Sequence, residues 1–140
     1  MRYNARPQPV VSKGARNPLT PEFFKLVEES YQLPGTDYSD PRLSPVNTPI
    51  NLLPDHIFIV TCGEDPLHDE GVAFAKKLAA EGKKVVLKDI PNVVHGWENR
   101  AKEGTDGAKA RHDTYEAAAS LLKVIYESPD AGKVRRRVLV

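Results

Sequence analysis

Two short apolar runs separated by one helix-length segment constrain this chain more than any other feature. Ile57 to Cys62 (Ile-Phe-Ile-Val-Thr-Cys) is rich in β-branched residues, as expected of a strand covered on both faces. Lys84 to Ile90 reads as a second strand with less clean alternation. Between them, Phe74 and Leu78, with Val72, Ala75 and Ala79 beside them, mark the apolar stripe of a helix that Asp69 is placed to cap and Gly82 to stop. Because that helix fills most of the gap, the natural closure is a right-handed parallel βαβ unit. Arg111 to Tyr126 reads as a further helix, with Tyr115, Ala118, Leu122 and Ile125 on one face and Gly104 to Gly107 as the loop before it.

Each strand run leads into residues that carry chemistry. Gly63-Glu64-Asp65-Pro66-Leu67-His68-Asp69-Glu70-Gly71 follows the first, and His95-Gly96-Trp97 follows the second. Side chains that leave the same end of neighbouring parallel strands meet in space, so Asp65 and His95 are placed to be the acid and base of a hydrolytic triad. Pro66 is expected to stiffen the turn that presents Asp65, and Gly96 to let the backbone pass close behind the imidazole. Asp69 reads as the helix cap and Glu70 as a partner of the helix dipole. Glu64 either faces solvent or adds negative charge near the base. The sequence holds no Gly-x-Ser-x-Gly and no His-Gly-Gly, so the acid and the base are present and the nucleophile is not.

The remaining reactive side chains have plainer readings. His56, His68 and His112 read as solvated, and Cys62, at the end of a buried strand without a Cys-x5-Arg phosphate loop, reads as core. His68, Asp69 and Glu70 are consecutive, point in different directions and lack a second ligand cluster, so they do not make a metal site. With 20 basic and 19 acidic residues, the chain offers no electrostatic reason for a nucleic-acid partner. The local excess Lys133-Val134-Arg135-Arg136-Arg137 has no interleaved aromatic residues and reads as a solvated tail. One cysteine excludes an intrachain disulfide and fits a reducing compartment. No run approaches membrane-spanning length and Met1 to Ser12 lacks a signal peptide's apolar stretch, so the expected location is cytoplasmic.

Upstream of the strands the pattern is irregular. Arg6 to Pro18 holds three prolines and no apolar period. Thr20 then suits an N-cap and Pro21 the first helical position, with Phe23, Val27 and Tyr31 on one face of a helix that ends before Pro34-Gly35. Asp40-Pro41 and Ser44-Pro45 mark bends.

The string Asp65-Pro66-Leu67-His68-Asp69-Glu70-Gly71 closely resembles the Asp-Pro-Leu-x-Asp-Glu-Gly motif of the hormone-sensitive-lipase-like branch of the α/β hydrolases. His95-Gly96-Trp97 is similar to that branch's His-Gly-Phe, with Trp in place of Phe. Ser44-Pro45 followed by Leu53-Pro54 also resembles the family's approach to its penultimate strand, and the likeness covers about residues 20 to 126. It implies the C-terminal part of an α/β-hydrolase fold, in which Asp65 matches the triad acid and His95 the general base. The family order of serine, acid, histidine puts the serine and its oxyanion-hole run upstream of Met1. The implied activity is esterase- or lipase-type hydrolysis of a small-molecule carboxylic ester, with no metal or organic cofactor.

The chain then divides into a lead-in over 1–19, a lid-like helix and loop over 20–50 that includes Phe23, Phe24 and Tyr31, the acid-and-histidine unit over 51–127, and a basic tail over 128–140. Ordinary packing of an amphipathic helix accounts equally well for 20–40. Two functions follow: a fragment of an ester hydrolase that is inert alone, or a non-catalytic module that binds an acyl ligand or a protein partner. Either way a two-stranded parallel sheet leaves an unpaired edge on Ile57 to Cys62 that invites self-association.

Overall fold

The computed structural model describes residues 21–31 and 35–128, with the side chains at 21, 23, 24, 27 and 28 excepted. The expected lead-in over 1–19, the Thr20 cap, the apolar face at Phe23 and Val27, Pro34 and the basic tail from 129 lie outside the described residues. The chain divides into two units, 1–95 and 96–140.

The first unit begins with α1 (Pro21–Tyr31). Its Leu26 and Tyr31 are exposed. The bends follow as expected. Leu43 N–H closes onto Asp40 C=O at 2.9 Å, and Pro45–Asn47 and Ile50–Leu52 form single 3-10 turns. Arg42 grips Asp40 bidentately (Nε to Oδ1 3.0 Å, Nη2 to Oδ2 2.6 Å), and that guanidinium pulls the Asp40 pKa down to about 2.

β1 (His56–Cys62) and β2 (Lys84–Ile90) pair in parallel, from His56 opposite Lys84 to Cys62 opposite Ile90. α2 (His68–Ala80) joins them and packs on both strands. The strands therefore start and end together. Lys84 N–H donates to Asp55 C=O (2.8 Å) and Lys83 Nζ to Leu53 C=O (2.8 Å), which ties the two starts. Leu78 is the one described side chain buried to below 2% exposure, and Val46, Ile50 and Leu53 face it and Phe74 around a cavity of about 180 Å³. Gly82 adopts φ +83, the left-handed position that ends a helix at no Cβ cost.

Two expectations for this unit are corrected. Among the described residues the sheet has two strands, so β1 is mostly half-buried and Val60 is 41% exposed; it is not covered on both faces. Ala79, expected on the buried stripe of α2, is exposed, because the inward side runs through Ala75 and Leu78.

The second unit holds a 3-10 turn at Trp97–Asn99 and α3 (Asp106–Glu127). α3 starts five residues before the expected Arg111. The Thr105 hydroxyl accepts from Ala108 N–H at 3.3 Å, and Asp106 suits the positive helix start, so Gly107 lies inside the helix. Arg111 donates to the carbonyls of Glu98 (3.2 Å) and Ala101 (3.1 Å) and pairs with the Glu103 carboxylate, which fixes the approach. Ala108 and Thr114 are buried, and Ala118 and Ile125 of the expected face are half-buried, whereas Tyr115 and Leu122 of that face are exposed. No helix among the described residues is long and apolar enough to cross a membrane.

Candidate active site

The turn from Gly63 to Leu67 leaves the end of β1 and is stitched to the chain leaving β2. Gly63 N–H donates to Ile90 C=O (2.8 Å), Glu64 N–H to Val93 C=O (2.9 Å), and Asp65 N–H returns to Cys62 C=O (3.0 Å). Gly63 leaves room for that contact: a Cβ there would stand 3.2 Å from Pro91 Cα and 3.3 Å from Asn92 N. Opposite it, Asn92 sits at φ 57, a left-handed conformation that asparagine tolerates better than most residues, and turns the chain toward His95.

The two expected side chains meet. His95 Nδ1 lies 2.7 Å from Asp65 Oδ2, and Asp65 Oδ1 accepts from Leu67 N–H at 2.9 Å. Asp65 is 7% exposed whereas the His95 side chain is 58% exposed. A carboxylate held against Nδ1 favours the tautomer with its proton there, which leaves Nε2 as the free acceptor and stabilises the imidazolium once Nε2 takes a proton. The arrangement is thus a shielded carboxylate behind an accessible imidazole.

The neighbouring motif residues take different roles from those expected. Asp69 does not cap α2. The N-cap position is Leu67, without a side-chain bond, because the Asp65 carboxylate already takes the Leu67 amide and His68 N–H closes onto Asp65 C=O (3.1 Å). The helix therefore begins before Asp69 can cap it, and the Asp69 carboxylate faces His68 Nδ1 at 2.8 Å. Gly71 has a packing reason: a Cβ there would meet Thr61 Cγ2 at 2.8 Å, so only glycine lets α2 approach β1 so closely. Gly96 acts through its backbone, at φ +67, since the nearest atom to a Cβ there is Asn99 Nδ2 at 3.9 Å. Glu64 is half-buried and does not simply face solvent.

His68 is not a solvated loop residue. Its side chain is 22% exposed, and its Nε2 lies 3.2 Å from Asp89 Oδ1, which also accepts the Thr61 hydroxyl at 2.9 Å. Hydrogen bonds to Asp69 first, and to Asp89, raise the His68 pKa above its ordinary value. Sequence reasoning read His68 as solvated and passed over Asp89, Thr61 and Asn92. Equal strand ends would have placed Thr61 beside Asp89, as the register does, and Pro91-Asn92 is a turn dipeptide.

His56 opens β1 half-buried, and His112 lies on α3, 3.3 Å from Glu116. Cys62, at the end of β1, is half-buried and forms no disulfide. Among the described residues no group of His, Cys, Asp or Glu is arranged to hold a metal ion.

Residues 4–99 match the family model described as "alpha/beta hydrolase fold". Carboxylesterase NlhH of Mycobacterium tuberculosis is 39% identical over 77 residues, covering 51% of this chain and 24% of that protein. Hormone-sensitive lipase of Ictidomys tridecemlineatus is 35% identical over 60 residues, 41% of this chain and 8% of that protein. Among solved structures, ester-hydrolase EH1AB1 from the metagenome of Lake Arreo, crystallised with a bipyridine phosphonate derivative, superposes with a TM-score of 0.58 at 33% identity, over 66% of this chain and 30% of that one. The chain thus spans about a quarter of the length of the carboxylesterase it matches. The strand, helix, strand order and the paired turns that end it are accounted for: the chain belongs to the α/β hydrolase fold family, in its hormone-sensitive-lipase-like branch.

Proposed function

We propose that this chain carries the acid and the base of a serine-type carboxylic ester hydrolase, with Asp65 as acid and His95 as general base, and that the nucleophilic serine is supplied by sequence not contained in it. The observation that carries the reading is the 2.7 Å contact between a buried carboxylate and an exposed imidazole at the paired ends of two parallel strands. Asp65 holds His95 by Nδ1. Nε2 then accepts the serine proton as the hydroxyl attacks the ester carbonyl, and returns it to the departing alcohol.

The serines of the described residues support an external nucleophile. Ser30 donates to Leu26 C=O (2.7 Å), Ser39 to the Asp37 carboxylate (2.7 Å) and Ser44 to Tyr38 C=O (2.7 Å), while Ser120 lies within α3 and Ser128 at its end. None occupies a strand-to-helix elbow. The names of the relatives point to carboxylic esters as the substrate class. A half-buried cysteine in no disulfide is compatible with a reducing, cytoplasmic location. Residues 20–50 belong, on this reading, to the cover of the substrate pocket.

The purified chain alone is expected to show no serine-dependent turnover of a short-chain aryl ester and no labelling by a serine-directed organophosphate. Grafted in place of the matching segment of a carboxylesterase relative, it is expected to restore turnover, and Asp65→Asn in that chimera to lower kcat by about 10⁴. A chimera that folds and binds the organophosphate, yet is indifferent to Asp65→Asn and His95→Gln, would overturn the assignment.

The open edge favours a second, compatible reading: a chain that associates with itself through β1.

A further inference from the structure

His68 stands outside the acid and base pair, yet it is among the most constrained polar side chains of the first unit. Both its ring nitrogens face carboxylates, Nδ1 that of Asp69 at 2.8 Å and Nε2 that of Asp89 at 3.2 Å. An ionised carboxylate only accepts, and a neutral imidazole donates through one nitrogen alone, so both contacts are hydrogen bonds only when the ring carries two protons. Asp69 belongs to the first turn of α2 and Asp89 to β2, so the charged ring bridges two elements. Asp89 is in turn fixed across the sheet by the Thr61 hydroxyl of β1 at 2.9 Å.

The bridge lies where the Asp65 turn needs an anchor. The start of that turn is held by Gly63 and Glu64, whose amides donate to Ile90 and Val93. Its far end bonds to itself: Leu67 N–H reaches the Asp65 carboxylate, and His68 N–H reaches Asp65 C=O. The His68 ring adds a side-chain tie from that far end to β2.

We propose that His68 is a positioning residue for Asp65, its doubly protonated ring tying the start of α2 to the end of β2 and so holding still the turn that carries the acid. This rests on the reading of Asp65 and His95 as acid and base. The charged groups that act on the ring are Asp69 on its own helix and Asp89 on β2, while β1 contributes the uncharged Thr61 hydroxyl. The sign follows. Raised by its two partners, the His68 pKa makes the clamp complete below the ordinary histidine range, and one of its two bonds is lost as pH rises through the folded value.

The test is proton NMR of the full 140-residue chain with ¹⁵N-labelled histidine. The hydrogen-bonded Nδ1 proton of His95 is assigned by its loss in Asp65→Asn, and its exchange with water is compared in wild type, His68→Gln and His68→Arg. Arginine keeps a positive, forked donor at every pH. At pH 5 wild type and H68R are expected to exchange slowly and H68Q at least tenfold faster. As pH rises through the folded His68 pKa, wild type is expected to move toward H68Q while H68R stays slow. Equal rates in the three chains at each pH, for a proton that does depend on Asp65, would overturn the clamp alone. A proton that survives Asp65→Asn would instead overturn the acid and base reading. Should H68Q lose the amide protection of β1 and β2, wild type against H68R decides once the His68 ring has been titrated to its neutral form in the same spectra: a difference supports the clamp, and identity overturns it.

Discussion

At the scale of single residues the site depends on atoms that are absent or held in unusual conformations. Gly71 is glycine because Thr61 Cγ2 would stand 2.8 Å from any Cβ. Gly71→Ala is therefore expected to lower stability by about 1–3 kcal/mol through overpacking, read as a fall in denaturant midpoint with an unchanged slope. Asn92 holds φ 57 on the path to His95. Asn92→Gly should be tolerated, whereas Asn92→Val is expected to cost about 1–2 kcal/mol in the same measurement, since a β-branched side chain fits that conformation poorly. Asp65 and His95 were legible in the sequence because both follow strands whose β-branched composition is unambiguous. The contacts of His68 were not, because they depend on register: Asp89 comes within reach only once Thr61 and Asp89 are known to be partners. The role of Asp69 was misread for a related reason, since a carboxylate four residues earlier had already closed the turn.

Among the elements, legibility tracked how strongly the local signal stood out. β2 lies over the expected residues and β1 begins one residue early, because the apolar run and the pairing end together. α3 was truncated because Gly104 and Gly107 suggested a loop, while the Thr105 hydroxyl in fact caps a helix that tolerates Gly107 in its first turn. Thr105→Ala is expected to cost about 1 kcal/mol, and faster amide exchange confined to the first turns of α3 would show that the loss is local. α2 depends on packing more than on capping, since it has no side-chain N-cap and buries Leu78 almost completely. Leu78→Ala is expected to remove about 2–5 kcal/mol and to increase exchange along β1 and β2 together, as the helix packs on both.

For the whole molecule, the governing fact is a sheet with two strands among the described residues. Among the described residues each strand pairs with the other alone, and Val60 of β1 is exposed. Association through the edge of β1 is expected to give a concentration-dependent dimer in sedimentation velocity, with amide protection on β1 increasing with concentration. Val60→Lys, a charge of the kind that blunts strand edges, should shift the population to monomer. A monomer at all concentrations with full protection of β1 would refute edge pairing. The shared register has another consequence. Asp65 and His95 extend from the same end of strands that start and finish together, so their spacing is set by adjacent strands about 4.8 Å apart and by two turn bonds. The far end of the helix between them is remote from that spacing: its exit at Glu81 and Gly82 lies at the opposite end of the sheet. Extra residues inserted there would cost closure entropy, about 0.6 kcal/mol per doubling of loop length, and leave the 2.7 Å contact untouched. The strand pair behaves as a caliper, and lengthening or trimming the connection at that exit is expected to leave the distance between Asp65 and His95 unchanged.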